Sequence, residues 1–249
     1  MRVSTARGRV EVVHTATSTL IAALCALALA GCASTEPAAQ DPGSTATVGP
    51  SSVPPPSPES PSGTQASDVP PEAMLPATAW DGAGPDGVRE ESAGVIAWRI
   101  PEACDAGSPA RAAMRTVTHG SGEIESSVGV HQVAVLADAD AAVAEADRLT
   151  AALTACTQYV SDDSTTYVVE PLDVGAQGVG LATDYYGASA TGALDDAMGT
   201  YLAVTRRGNA VTLVGLDGGE GRVGTARETV TTGAQAAWEL LCSYDSAGC

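Results

Sequence analysis

The chain has 249 residues, with 30 acidic residues against 12 basic ones and a formal net charge of −18. All 12 basic residues are arginine, and there is neither lysine nor phenylalanine. This acid excess argues against nucleic acid as a partner and against electrostatic docking on anionic lipid head groups.

The first segment is basic, with Arg2, Arg7 and Arg9. An apolar run follows from Leu20 and closes on Leu29-Ala30-Gly31-Cys32. A charged start, an apolar middle and small residues at the cut mark a secretory signal peptide. The run is about half the ~20 residues that a spanning helix needs. Its last four residues resemble the bacterial lipobox, whose cysteine is lipidated and becomes the first residue of the mature protein. Residues 1–31 are therefore expected to be a lipoprotein signal peptide, with Cys32 as the lipidation site. The lipobox implies a diacylglyceryl group, which meets the need for more than one hydrophobic chain in stable anchoring. The membrane is then a partner through this lipid, and the location is the outer face of the cytoplasmic membrane. A plain signal peptide with a free cysteine after the cut is the alternative. Processing would leave 29 acidic residues against 9 arginines. Lysine and phenylalanine have AT-rich codons, so their absence points to a GC-rich genome, such as an actinobacterial one.

Residues 32–70 are rich in Pro, Ser and Thr, including Pro54, Pro55, Pro56, Pro58 and Pro61. Such a segment buries too little apolar surface to offset the entropy of ordering it. It reads as a disordered tether, reaching ~120 Å as extended polyproline II and ~35 Å as a flexible coil. That length extends the body into the cell wall.

Residues 71–249 have the length of one ordinary domain. Pro71-Glu72-Ala73-Met74-Leu75 opens a short helix, with Pro in the first turn. Trp80 to Glu91 reads as loop, and Val95 to Ile100 as a short strand. Ala113 to His119 and Val128 to Leu136 are strands around the turn signal Gly120-Ser121-Gly122. Asp138 or Asp140 caps a helix. Its residues Val143, Ala146, Leu149, Leu153 and Cys156 give one buried stripe, with Glu145 and Arg148 on the opposing side. Tyr167 to Leu172 and Val179 to Tyr186 are strands. Gly199 to Thr205 and Ala210 to Leu216 form a hairpin across Arg206-Arg207-Gly208-Asn209. A last helix runs from Val223 to Cys242. The order predicts an α+β domain, with an antiparallel sheet of about five to six strands and two main helices on one face.

The run His131-Gln132-Val133-Ala134-Val135-Leu136, then Ala137-Asp138-Ala139-Asp140-Ala141-Ala142 and a helix ending in Cys156, carries a family resemblance. So do Arg207-Gly208-Asn209-Ala210-Val211 and the Ala-rich closing helix. These patterns resemble the PknH-type extracellular sensor domain of mycobacterial receptor kinases, and actinobacterial lipoproteins with the same domain. The resemblance runs from about Pro71 to Cys242. It implies an antiparallel sheet with helices and a cleft for a ligand, but it brings over no ligand-binding residue. The sequence departs from the family in the place of its later cysteines and in having Leu153 where a Trp stands.

Once Cys32 is set aside and Cys25 is removed with the signal peptide, Cys104, Cys156, Cys242 and Cys249 remain. Four exported cysteines imply two disulfides, in any of three connectivities. Cys104–Cys156 with Cys242–Cys249 is favoured, and free buried thiols are the alternative. The spacings fit no zinc site, since there is no CxxC and no nearby His pair.

Other candidates for chemistry are sparse. His119 with Glu123, and His131, read first as structural histidines in or beside strands. Asp162-Asp163 and Asp195-Asp196 lack the alternating oxygen ligands of a calcium loop. Ser121 lacks the spacing of a nucleophile elbow. Arg206 and Arg207 read as a solvated turn, and Tyr185 and Tyr186 as a surface or packed strand. No convergent catalytic set, cofactor motif or metal site emerges. The expected function is a non-catalytic, lipid-anchored extracytoplasmic binding or sensor-like module. Its partner is a small molecule or an envelope protein. An exported cell-envelope hydrolase and a purely structural lipoprotein are the alternatives.

Overall fold

The computed structural model describes residues 68–80, 89–120, 122, 126–157 and 164–249. The readings on Cys32, Ser121, Glu123, Asp162 and Asp163 lie outside the described residues.

Seven segments pair through their backbones into one sheet. They are β1 (Arg89–Ala93), β2 (Ala113–His119), β3 (Val128–Val135), β4 (Thr166–Pro171), β5 (Ala176–Asp184), β6 (Gly199–Arg207) and β7 (Ala210–Asp217). Their order is β1-β2-β3-β7-β6-β5-β4, and every neighbouring pair is antiparallel. The α+β class and the antiparallel sheet follow the sequence reading, but the strands number seven rather than five to six. The strand that went unseen is β1, inside the stretch read as loop. Its sequence Arg-Glu-Glu-Ser-Ala has no large apolar residue, and only backbone pairing with β2 makes it a strand. Its acidic side chains suit an edge, where charge discourages pairing with another chain.

Val95 to Ile100 corrects the sequence reading in the other direction. These residues form no strand. The segment is held instead by the buried Gln132 of β3. Gln132 Oε1 accepts from the Arg99 amide at 2.6 Å, and Gln132 Nε2 donates to the Ala97 carbonyl at 3.2 Å. Ladder pairing needs a free strand edge, and here a side chain supplies the hydrogen bonds instead.

The long helices are α1 (Ala139–Cys156) and α2 (Val223–Leu240). The Asp138 side chain accepts from the Ala141 amide at 2.8 Å and caps α1. The helices cover opposite faces of the sheet, which overturns the expectation of one shared face. Successive strand residues point to opposite sides, and here both sides are apolar. Val130, Ala134, Leu181, Leu202, Val204, Val211 and Leu213 form a core with Ala142, Ala146, Leu149 and Leu153 of α1. Ala182, Tyr201, Ala203, Val214 and Leu216 form another with Val223, Val230, Ala234 and Ala237 of α2. A sheet buried on both sides reads as near-continuous apolar strands rather than an in–out alternation.

The chain before β1 completes the α2 face. Pro71–Ala73 forms a single 3-10 turn. Leu75 and Trp80 join the α2 core, while Val69, Ala73 and Met74 pack on Val117, Val133 and Leu241. Val69 is 0% exposed, so the packed body begins before Pro71. Arg115 of β2 secures this start. Its guanidinium donates to the Val69 carbonyl and pairs with Asp68 and Glu91.

Two disulfides close the body, Cys104–Cys156 and Cys242–Cys249, one of the three connectivities open to the sequence. The hairpin turn between β6 and β7 is only Gly208-Asn209, because Arg206 and Arg207 belong to β6. Gly208 has φ of +55°, where a side chain is strained.

Candidate functional site

The main cleft lies on the α1 face, at the end of the sheet where β3 begins and β7 ends. Its origin is visible rung by rung. One rung across the sheet runs Val169–Leu181–Leu202–Gly215–Val130. Its fourth position is glycine, which leaves space over the centre of the sheet. The next rung outward runs Tyr167–Thr183–Thr200, with Asp217 on β7 opposite Val128. There the large aliphatic residues give way to hydroxyls and a carboxylate. Thr165 and Tyr185 follow, joined by a hydrogen bond from Thr165 Oγ1 to the Tyr185 carbonyl at 3.2 Å.

The segment Arg99-Ile100-Pro101-Glu102 forms the opposite wall. The enclosed volume is about 410 Å³, within the range of ~300–1,000 Å³ common for small-ligand sites. Val130 and Leu202 provide apolar surface. Around them stand Thr165, Tyr167, Thr183, Tyr185, Thr200 and Asp217. Burial pushes the Tyr185 phenol up in pKa, against a hydrogen bond from Thr200 that lowers it. The phenol is therefore a protonated donor at neutral pH. Arg99 has no ion pair among the described residues. A second hollow, more open and of about 510 Å³, lies near Asn209 and Tyr244, where the tail passes the hairpin turn.

The wall is fastened to α1. Trp98 Nε1 donates to Glu145 Oε1 at 2.7 Å, and Arg148 Nε donates to Glu145 Oε2 at 2.9 Å. Arg148 also donates to the Ala106 carbonyl. The Cys104–Cys156 bond ties the end of the wall to the end of α1. The sequence reading placed Glu145 on the solvent side of α1, but Glu145 is buried. It sits at the margin of the apolar stripe, and the wall segment covers it.

Asp184 sets the backbone after β5, beside Tyr185. It is fully buried. Its Oδ1 accepts from the Tyr186 amide at 3.2 Å, and Oδ2 accepts from the Ser189 amide at 2.8 Å and hydroxyl at 2.6 Å. Burial raises the carboxyl, but these hydrogen bonds outweigh it and hold the group below the usual aspartate range. A depressed folded pKa gives stability that is present above the unfolded value of ~3.9 and lost as pH falls through the folded one. Asp184→Asn is expected to flatten that acid loss. Urea midpoints measured from neutral pH down to about pH 3 check it. A variant curve parallel to the wild type over that window contradicts it.

The residues singled out from sequence do not converge. His131 is 0% exposed on the α2 face. Its Nδ1 accepts from the Leu75 amide at 3.0 Å, and its Nε2 donates to Thr212 Oγ1 at 3.0 Å. Both ring nitrogens are thus engaged in holding structure. His119 lies at the far end of β2, opposite Gly129, with its ring 6.1 Å from that of Trp80. Asp195 accepts from Arg227, and Asp196 pairs with Arg222 at 3.3 Å. No group of three or more His, Cys, Asp or Glu among the described residues is placed to hold a metal ion.

Arg206 and Arg207 are more than a solvated turn. Arg206 donates to Gln177 Oε1 at 2.7 Å and to the Gly208 carbonyl at 2.9 Å. Arg207 stacks on Trp238 at 4.2 Å and donates to the carbonyls of Trp238 and Glu239, at the end of α2. Of the residues named from sequence, Tyr185 alone lines the main cleft, while Tyr186 is exposed.

Sequence reasoning missed Arg99, Glu102, Thr183, Thr200, Gly215 and Asp217. The available signal was Thr183 and Thr200 at inward positions of apolar strands.

Fold and site together define an α+β scaffold: an antiparallel sheet sandwiched between helices, with a hydroxyl-lined cleft at one end. No family model and no curated protein sequence matches the chain. Among solved structures it is similar to the extracellular domain of PknH from Mycobacterium tuberculosis, with 12% identity and a TM-score of 0.39. The match covers 61% of this chain and 84% of that one. No described helix is long and apolar enough to cross a membrane.

Proposed function

We propose that the protein is a non-catalytic, lipid-anchored extracytoplasmic module that binds a small ligand in the cleft beneath Arg99–Glu102. The carrying observation is the cleft itself. It has the volume of a ligand site, and its polar groups come from four strands, the residues flanking two of them and one fastened loop. Preformed walls of this kind lower the cost of ordering on binding. The lining polar groups are hydroxyls, two carboxylates and one guanidinium, with no histidine, cysteine, serine or lysine among them.

A fragment library screened by ligand-observed NMR tests the binding reading. Fragments are expected to bind the wild type and to be lost in Thr200→Trp, whose ring fills the cleft from a partly exposed position. Identical hit lists for the two proteins, with unchanged melting, dispose of this reading.

The anchoring part rests on Leu29-Ala30-Gly31-Cys32 behind an apolar run. Fatty-acid labelling of cells is expected to mark the wild type and to leave Cys32→Ala unlabelled, either secreted or as an unprocessed precursor. Equal label on both rejects the lipid anchor.

A further inference from the structure

We infer that the cleft takes a neutral saccharide, an assignment that rests on the binding reading above. Three features of the lining select this chemistry.

The first is charge. Glu102 and Asp217 face a single guanidinium, that of Arg99. The chain as a whole carries 30 acidic residues and 12 arginines. Phosphorylated and carboxylated ligands meet a net negative rim there, although these charges are exposed and screened by solvent.

The second is the hydroxyl rung. Tyr167, Thr183 and Thr200 stand side by side on three adjacent strands, with Thr165 and Tyr185 one step beyond. A hydroxyl both donates and accepts, so a row of them matches a ligand that does the same at closely spaced positions. An acyl chain laid on this rung would leave the remaining acceptor capacity of these hydroxyls unmet, beyond the bonds that Thr165 and Thr200 make to Tyr185. Asp217 extends the rung on β7, and its carboxylate accepts from hydroxyls of neighbouring carbons.

The third is the flat surface. Tyr167 and Tyr185 contribute aromatic lining, and Val130 and Leu202 a small aliphatic floor. A sugar ring has a hydroxyl perimeter and an apolar C–H face, and this lining offers both kinds of contact. Gly215 provides the depth. It carries no side chain into the cleft, and a Cβ there would crowd Leu202 Cβ at 3.1 Å.

The test uses the purified full-length chain in a detergent without a sugar head group. Maltose, cellobiose and lactose are titrated as neutral probes, glucuronate as the anionic sugar and palmitate as the acyl probe, with binding read by saturation-transfer NMR. At least one neutral disaccharide is expected to bind. Thr200→Val, which keeps the shape and removes the hydroxyl, is expected to weaken it about fivefold, the loss of one neutral hydrogen bond. Asp217→Asn is expected to weaken it about tenfold, as a charge-assisted bond becomes neutral. Wild-type melting of both variants separates these losses from unfolding.

Binding of glucuronate or palmitate without any neutral sugar overturns the assignment and leaves the binding module standing. So does a neutral sugar whose affinity ignores both substitutions. Failure of every probe also overturns the saccharide assignment. The binding reading is then judged separately by the fragment screen.

Discussion

Cys104→Ser is expected to destabilise the body by about 4 kcal/mol, and Cys249→Ser by roughly 2.5 kcal/mol, in the chain-entropy account of loops with sequence separations of 52 and 7. The longer loop removes more freedom from the unfolded chain. The folded state adds to the difference. Cys156 is fully buried and Cys104 nearly so, and the bond fastens the cleft wall to the end of α1. Losing it leaves the wall held by the Trp98–Glu145 and Arg148 hydrogen bonds and by Gln132. The Cys242–Cys249 bond ties down only the exposed tail. Denaturant unfolding of the two variants, with non-reducing peptide mapping of the wild type, measures this. A Cys249→Ser loss equal to or above that of Cys104→Ser rejects the ranking. Finding Cys104 bonded to Cys242 or Cys249 removes its basis.

His131→Leu is expected to cost about 2–3 kcal/mol, since it leaves a buried amide unsatisfied and loses a second hydrogen bond. The amide is that of Leu75, and the second bond is to Thr212. Leucine has a similar bulk, so the loss reports on hydrogen bonding rather than on a cavity. The damage is expected to centre on the segment from Val69 to Trp80, which the Leu75 bond docks on the α2 face. Amide exchange of Leu75 is therefore expected to quicken more than that of residues in β6 or β7, which the sheet ladder protects. Unchanged protection at Leu75 refutes the docking role. Ligand binding at the cleft is expected to survive, because His131 faces the other side of the sheet.

Local order was legible where a signal is written within a few residues. Asp138 before a stripe of apolar residues specified the start of α1, and its side chain does cap the helix. Gly208-Asn209 between two apolar runs specified the hairpin at the centre of the sheet. The count of four cysteines after residue 71 implied two disulfides but left all three connectivities open.

Strand β1 and the segment 95–100 show the limit. Arg89–Ala93 has no strand composition, and it pairs because β2 offers an open edge. Val95 to Ile100 has that composition, and Gln132 takes its backbone groups instead. Backbone hydrogen bonding is settled between partners distant in the chain, and propensity only biases the outcome.

The sequence by itself determined the α+β class, the antiparallel character of the sheet and both long helices. Tertiary structure alone decided which face each helix covers. An apolar residue reports that it will be buried, not on which side of a sheet. It also decided the fate of the polar residues: Glu145 became a buried anchor, His131 a structural link, and Thr183 and Thr200 part of the lining of a cleft. These roles depend on what the fold lays against each side chain. The cleft draws Arg99, Thr165, Thr183, Thr200 and Asp217 from separate segments, with no common spacing, and only the closing of the sheet brings them together.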